Sequence, residues 1–181
     1  MRHSHVAYVI IRLPTIAGTS LLLRKHEKWG DWSLVGGHVE DWEIDDWSRA
    51  ALREASEELE PLVAEQDFCV SPIHNEPFTW GPERSRSAHG ERTLYHIQYF
   101  NLAFLRDPIE LLSRLPAAEF ILVPESAIDS EGNALGRPVH RARRFLAGIE
   151  AVAPAWGKAL DIQCIPTGMR RTTQDKGATR K

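Results

Sequence analysis

Gly36-Gly37-His38-Val39-Glu40-Asp41-Trp42-Glu43, followed by Arg53-Glu54-Ala55-Ser56-Glu57-Glu58-Leu59, is the stretch that decides how this chain folds. The two glycines are expected to let the backbone turn tightly and to leave a main-chain carbonyl free to face a cation. A helix should follow, opening at Asp45 or Asp46, either of which is a good N-cap. It should end near Leu59, because Pro61 disfavours helix at Glu60. On that helix Glu54, Glu57 and Glu58 share one face at i, i+3 and i+4. Ser48, Leu52, Ala55 and Leu59 fall on a different face at core spacing. Like charges placed four apart repel by about 0.2–0.5 kcal/mol per pair, so displaying three acids together weakens the helix. A divalent cation among them offsets that repulsion, and hard oxygen donors suit Mg²⁺ or Mn²⁺. Arg53, four residues before Glu57, reads as an ion-pair partner that keeps a carboxylate ionised and aimed.

These residues resemble the box of the Nudix hydrolase family (MutT-like), whose usual form is G-x5-E-x7-R-E-U-x-E-E-x-G-U, with U a bulky apolar residue. Gly37-x5-Glu43 and Arg53-Glu54-x-x-Glu57-Glu58 match it, and Trp32-Ser33-Leu34-Val35-Gly36-Gly37 is similar to the family's W-x-L-P-G-G entry. The sequence departs from the pattern in three places. Nine residues rather than seven separate Glu43 from Arg53, Ala55 stands where a bulkier apolar residue is usual, and Glu60-Pro61 replaces the closing glycine. The extra residues lengthen the loop around Asp45-Asp46-Trp47, and a second register would put Asp45 in the Glu43 role. The resemblance implies an α/β fold, the Nudix-type α/β/α sandwich with a mixed β-sheet. It also implies that Gly37, Glu54, Glu57 and Glu58 hold the metal, that Glu54 or Glu57 serves as general base, and that Glu43 braces the loop through Arg53.

The 181 residues are most simply one domain, with an ordinary apolar content of 43% and charged content of 26%. No apolar run approaches the roughly 20 residues that span a bilayer, so no membrane is expected. Met1 to Val6 lacks the shape of a signal peptide. Two cysteines, Cys69 and Cys164, make neither a disulfide framework nor a zinc site, and the expected address is cytoplasmic. Residues 168–181 hold Arg170, Arg171, Lys176, Arg180 and Lys181 against Asp175, a net +4, which leaves −7 on the rest of a chain whose total is −3. That tail reads as a disordered basic end beyond a domain at 1–167, and not as a nucleic-acid arm.

Along the chain, Val6 to Leu13 reads as a buried strand, Pro14 to Thr19 as a turn, Ser20 to Lys25 as a second strand and Trp32 to Val35 as a short third. Phe68 to His74 is strand-like, with Pro72 marking an edge or bulge. Gly81 to Gly90 is the most loop-like interior stretch, and its Arg84 and Arg86 are candidates to close over substrate phosphates. Leu94 to Leu105 is a long strand in which His96 is a sheet-face residue. Pro108 to Leu115 and Val139 to Val152 read as helices, and Leu160 to Ile165 as a last strand. Glu119-Phe120-Ile121-Leu122-Val123-Pro124 is similar to a late strand of the family, which implies that Glu119 reaches the metal or acts on water.

The function implied is hydrolysis of a nucleoside diphosphate joined to another moiety X, by water attack at phosphorus in a metal-dependent site. The expected partner is a nucleotide-type small molecule, not nucleic acid, and a homodimer is left open. Trp29, Trp32, Trp42 and Trp80 are candidates for stacking a base. The competing reading is a catalytically inactive nucleotide-binding or regulatory module with the same fold, which the longer spacer and missing glycine favour. An isomerase on the same scaffold would need a cysteine facing the substrate, and Cys69 lies in a strand with no acid beside it.

Overall fold

The computed structural model describes residues 1–16, 18–129 and 134–146. The apolar run near its start forms two strands instead of the single one expected, β1 (Arg2–Ile10) and β2 (Arg12–Thr15). They belong to different sheets, and the buried Ile11 between them marks the crossing. β3 (Gly18–Lys25) returns antiparallel to β2, and β4 (Trp32–Ser33) pairs with the far end of β3. One residue later β5 (Val35–His38) has left that sheet and lies antiparallel to β1.

The glycines therefore sit inside a strand, not in a turn. Gly36 and Gly37 pair with Tyr8 and Ala7. Gly36 has a φ of +135°, and a Cβ there would meet the Ala7 carbonyl oxygen at 2.2 Å. It is the closeness of two backbones that demands glycine here.

β6 (Phe68–Pro72) and β7 (Phe78–Arg84) pair antiparallel with successive parts of β8 (Arg92–Phe104), whose other side runs parallel to β1 over nine residue pairs. The sheet is thus mixed, in the order β5-β1-β8-β6, and Pro72 ends a strand on its edge. Of the loop expected at Gly81 to Gly90, the first part, Gly81 to Arg84, proves to be strand, and Ser85 to Gly90 form the turn. The Gly81-Pro82 pair sits where the β7–β8 register shifts between Trp80 and Glu83, so only the turn after Arg84 is left to connect the hairpin. β9 (Phe120–Pro124) completes the second, antiparallel sheet by pairing with β3.

Among the described residues three α-helices cover the sheets: α1 (Trp47–Glu58), α2 (Pro108–Ser113) and α3 (Arg137–Leu146). Alternation along β1 assigns its two faces. Ala7 and Val9 pack with Ala50, Ala51 and Ala55 of α1 and Leu111 of α2. Ile10 points the other way, into a cluster with Tyr99 of β8 and Val139 and Ala142 of α3. Helices on both faces of a mixed sheet make the expected α/β/α sandwich. No helix among the described residues is long and apolar enough to cross a membrane. The expected helix to Val152 is described as far as Leu146. The expected strand at Leu160 to Ile165 and the basic tail lie outside the described residues.

Candidate active site

α1 is placed by its smallest side chains. Asp46 caps it, accepting from the Ser48 amide at 3.1 Å, and the Trp47 indole donates to the Ile44 carbonyl at 3.0 Å, which ties the lengthened loop to the first turn. The face that packs on the sheet is Trp47, Ala50, Ala51, Ala55 and Leu59, whereas Ser48 and Leu52, expected in the core, are only half-buried. Alanines allow the helix to approach closely, and Ala55, the apparent departure from the box, is fully buried at that contact. The approach carries Glu54 and Glu58 onto β5. A Cβ on Gly37 would meet the Glu54 carboxylate at 2.5 Å, so the absent side chain is the space that carboxylate fills. Glu58 accepts from the Gly36 amide at 2.9 Å.

Arg53 organises the acids. Its Nε and Nη2 donate to the two oxygens of Glu43 at 2.9 Å each, in the bidentate geometry that suits a guanidinium, and Nη2 also donates to the His38 carbonyl at 3.0 Å. Its Nη1 donates to Glu54 at 2.8 Å and lies 3.7 Å from Glu57. Glu43 is fully buried and also accepts from the Glu40 amide at 3.0 Å. Between the two registers left open by the sequence, the structure puts Glu43 in the brace and leaves Asp45 exposed. The hydrogen bonds from Arg53 hold the Glu43 carboxyl below its ordinary range. Glu54 and Glu58 shift the other way, because burial penalises their charged forms more than neighbouring donors relieve them. Glu57 stands apart, its side chain 60% exposed against 15% for Glu54.

Whether these groups suit a divalent cation is a question of donors and burial. The donors are hard oxygens, and two desolvated carboxylates raised by burial gain from a nearby positive charge. As the side chains lie, no three Asp, Glu, His or Cys groups among the described residues converge on one point. Glu54 is turned to Arg53, and Glu58 to Arg24 and Gly36. The residues fit Mg²⁺ or Mn²⁺ in kind, and Arg53 and Arg24 are the cations that pair with the carboxylates that would hold it.

Beside the acids, on the other face of β5, lies a cleft of about 190 Å³ with Tyr8, Gly36, Gly37 and Glu58 among its walls. Arg24, at the end of β3, joins Glu58 at 3.0 Å to Glu119 at 3.4 Å, so Glu119 reaches the acid cluster through an arginine. Arg86 also lines the cleft, paired with Asp31 at 2.7 Å and lying over the Trp29 ring at 4.7 Å. Arg84 lies outside the cleft lining, on β7 opposite Arg92. Of the tryptophans, Trp29 borders the cleft with His26 and Arg86 against its ring, Trp80 underlies Arg141, and Trp42 is 63% exposed beside Arg49. Arg24, Asp31, Glu83 and Arg141, all in the cleft, were not singled out from the sequence. Each is brought there by sheet pairing or helix docking, which no local spacing reveals.

One family model, described as NUDIX domain, matches residues 1–119. No curated protein matches the chain in sequence. Among solved structures the chain is similar to a mutT/nudix family protein from Listeria innocua, with a TM-score of 0.52 at 21% identity over 81% of this chain and 94% of that one. It is similar also to a NUDIX hydrolase from Nitrosomonas europaea, with a TM-score of 0.51 at 16% identity over 81% and 89%. NrtR from Shewanella oneidensis gives a TM-score of 0.54 at 14% identity over 78% of this chain, which spans 61% of NrtR. At such identities the likeness is one of fold.

Proposed function

The chain belongs to the Nudix family, and from that premise we propose that it is a Mg²⁺- or Mn²⁺-dependent pyrophosphohydrolase that cleaves the diphosphate of a nucleoside diphosphate joined to a moiety X. The observation that carries the reading is the seating of Glu54 and Glu58 against Gly37 and Gly36 at the edge of the cleft, with Arg53 and Glu43 bracing them from behind.

Glu54, Glu57, Glu58 and the Gly37 carbonyl are the groups that would hold the cation. When bound, it supplies charge neutralisation at the diphosphate and lowers the pKa of water. Glu54 serves as the proton acceptor, its carboxyl raised above its ordinary value by burial. Water attacks one phosphorus, its proton passes to Glu54, and the bond from that phosphorus to the bridging oxygen breaks, so the other phosphate leaves with the electron pair. Arg86 grips the departing or retained phosphate in place of Asp31, and Arg24 keeps Glu58 ionised and aimed. Arg53 keeps the acid helix and the Glu43 loop in fixed relation.

A second reading draws on one observation. Both Glu54 and Glu58 are tied to arginines, which suits a nucleotide-binding module that never gathers a cation. The test is product analysis with Mg²⁺ across NTPs, dNTPs, nucleotide sugars, ADP-ribose, dinucleoside polyphosphates and coenzyme A, beside a Glu57→Gln/Glu58→Gln variant. Release of phosphate, pyrophosphate or nucleoside monophosphate that stops in the variant and with EDTA is the expected result. A compound that stabilises the protein thermally and is never cleaved would establish the binding module instead.

A further inference from the structure

The wall of the cleft opposite α1 carries charges that hydrolysis of the diphosphate does not use. Glu83, on β7, is shared by two arginines of α3, Arg141 in direct contact and Arg137 at 3.6 Å. The Trp80 indole donates to the same carboxylate at 3.4 Å. Arg141 is not a solvated surface cation. Its side chain is 9% exposed, it lies over the rings of Trp80 at 5.1 Å and Tyr95 at 5.5 Å, and it still borders the cleft. Arg137 borders it too, donating to the Arg84 carbonyl at 3.3 Å. Two guanidiniums share one carboxylate, so this wall carries a net positive charge. The buried Arg141 is matched by Glu83 and the surplus falls on the half-exposed Arg137, which an incoming anion can reach. A planar guanidinium stacked on aromatic rings is also held in position at little further entropy cost.

This wall stands off from the acids across the sheet. β5, beside the acids, and β7, which carries Glu83, are separated by β1 and β8, so their backbones lie roughly 14 Å apart at about 4.8 Å per strand. Neighbouring phosphates of one chain sit much closer than that. The half-buried Tyr8 is on the floor between, within electrostatic reach of Arg141 on one side and of Glu58 and Glu54 on the other.

We infer that Arg137 and Arg141, with Glu83 as their shared counter-ion, form a second anion subsite that receives a phosphate carried by X. The preferred substrates are then nucleoside diphosphate compounds whose X is itself phosphorylated. The inference rests on the hydrolase reading for the diphosphate end of the cleft, while the subsite itself needs no turnover.

The experiment compares a nucleoside diphosphate sugar with the same compound phosphorylated on the sugar, by calorimetry in EDTA so that nothing is cleaved. The phosphorylated compound should bind the wild-type protein about tenfold tighter or more, the scale of a charge-assisted contact. In Arg137→Gln, and separately in Arg141→Lys, the ratio of the two affinities should collapse toward one. Equal affinities in the wild type, or a preference that survives in both variants, would overturn the subsite. Because Arg137 is half-exposed, its variant is expected to fold even where Arg141→Lys does not. Hydrolysis of either compound with Mg²⁺ is scored separately. Binding that discriminates without cleavage counts against the hydrolase and leaves the subsite standing, whereas cleavage without discrimination does the reverse.

Discussion

The acid cluster around α1 and the basic wall of the cleft, on opposite faces of the same sheet, are built to opposite electrostatic plans. On the α1 side Glu43, Glu54, Glu57 and Glu58 outnumber Arg53 and Arg24, and on the α3 side Arg137 and Arg141 outnumber Glu83. One side lacks positive charge and the other lacks negative charge. A chain that only needed to fold would pair these groups off, since unpaired charge near the interior costs stability. On the proposed function, the mismatches face a guest, a cation on one side and anions on the other. Their architectures differ as well. The acid side is centred on one helix whose geometry is local, and the basic wall is assembled from β7 and α3, more than forty residues apart in sequence.

The largest test of that contrast is Glu54→Gln. If the acid side is the chemical one, kcat should fall by about 10²-fold or more with the fold intact by circular dichroism. A variant that kept wild-type turnover would reduce the contrast to one of charge. Next in size is Arg53→Ala, which leaves Glu43 buried with no cation beside it. Removing one partner of such a pair costs about 3–5 kcal/mol, read as a lower urea midpoint, and a loss under about 1 kcal/mol would mean the brace is ornamental.

The same brace has a pH signature. The Glu43 carboxyl is held below its ordinary value of 4.5 in the folded protein, so its contribution is complete above that value and disappears as pH falls through the lowered one. The stability gap between wild type and Glu43→Gln should therefore be steady at neutral pH and close in acid. A gap that widened on acidification would reverse the assignment.

The glycines sharpen the contrast at smaller scale. Gly36→Ala drives a Cβ into the Ala7 backbone in a conformation alanine resists, and should cost about 3 kcal/mol of stability. Gly37→Ala meets only the end of the Glu54 side chain, which can move. It should fold nearly as well and lose activity, so that neighbouring glycines separate folding from chemistry. Smallest of all, Trp42→Ala on the exposed loop should change stability by less than about 0.5 kcal/mol, since its ring packs on little besides Arg49.

How much of this was legible in the sequence follows from how local each feature is. The acid face of α1, its cap near Asp46 and the Glu43–Arg53 brace follow from spacings of one to ten residues together with the family resemblance. The break at Ile11 was not legible. Val6 to Leu13 is apolar on both sides of it, and nothing in an apolar run announces that the chain changes sheets. Gly36-Gly37 misled for a related reason, because glycine marks a turn and a close strand approach alike, and only the partner, Tyr8 and Ala7, tells them apart. Arg24 and Arg141 carry no signal of their own. An arginine at a strand end or on a helix is ordinary until Glu58 or Glu83 arrives from elsewhere in the chain.

The parallel pairing of β1 with β8 matters for the order in which the protein can be assembled. Nine residues from Arg2 to Ile10 must find partners from Thr93 to Asn101, and β1 also supplies the only strand on which β5 lies among the described pairings. Loop closure over some ninety residues is slow and entropically costly, so the glycine strand and its acid helix have a secure floor only late in folding. On the ribosome, β1 emerges some ninety residues before β8 and has an open edge until β8 has been made. An apolar strand with an unpaired edge is a site for wrong pairing, so early destabilisation of the β1–β8 register exposes the chain to aggregation.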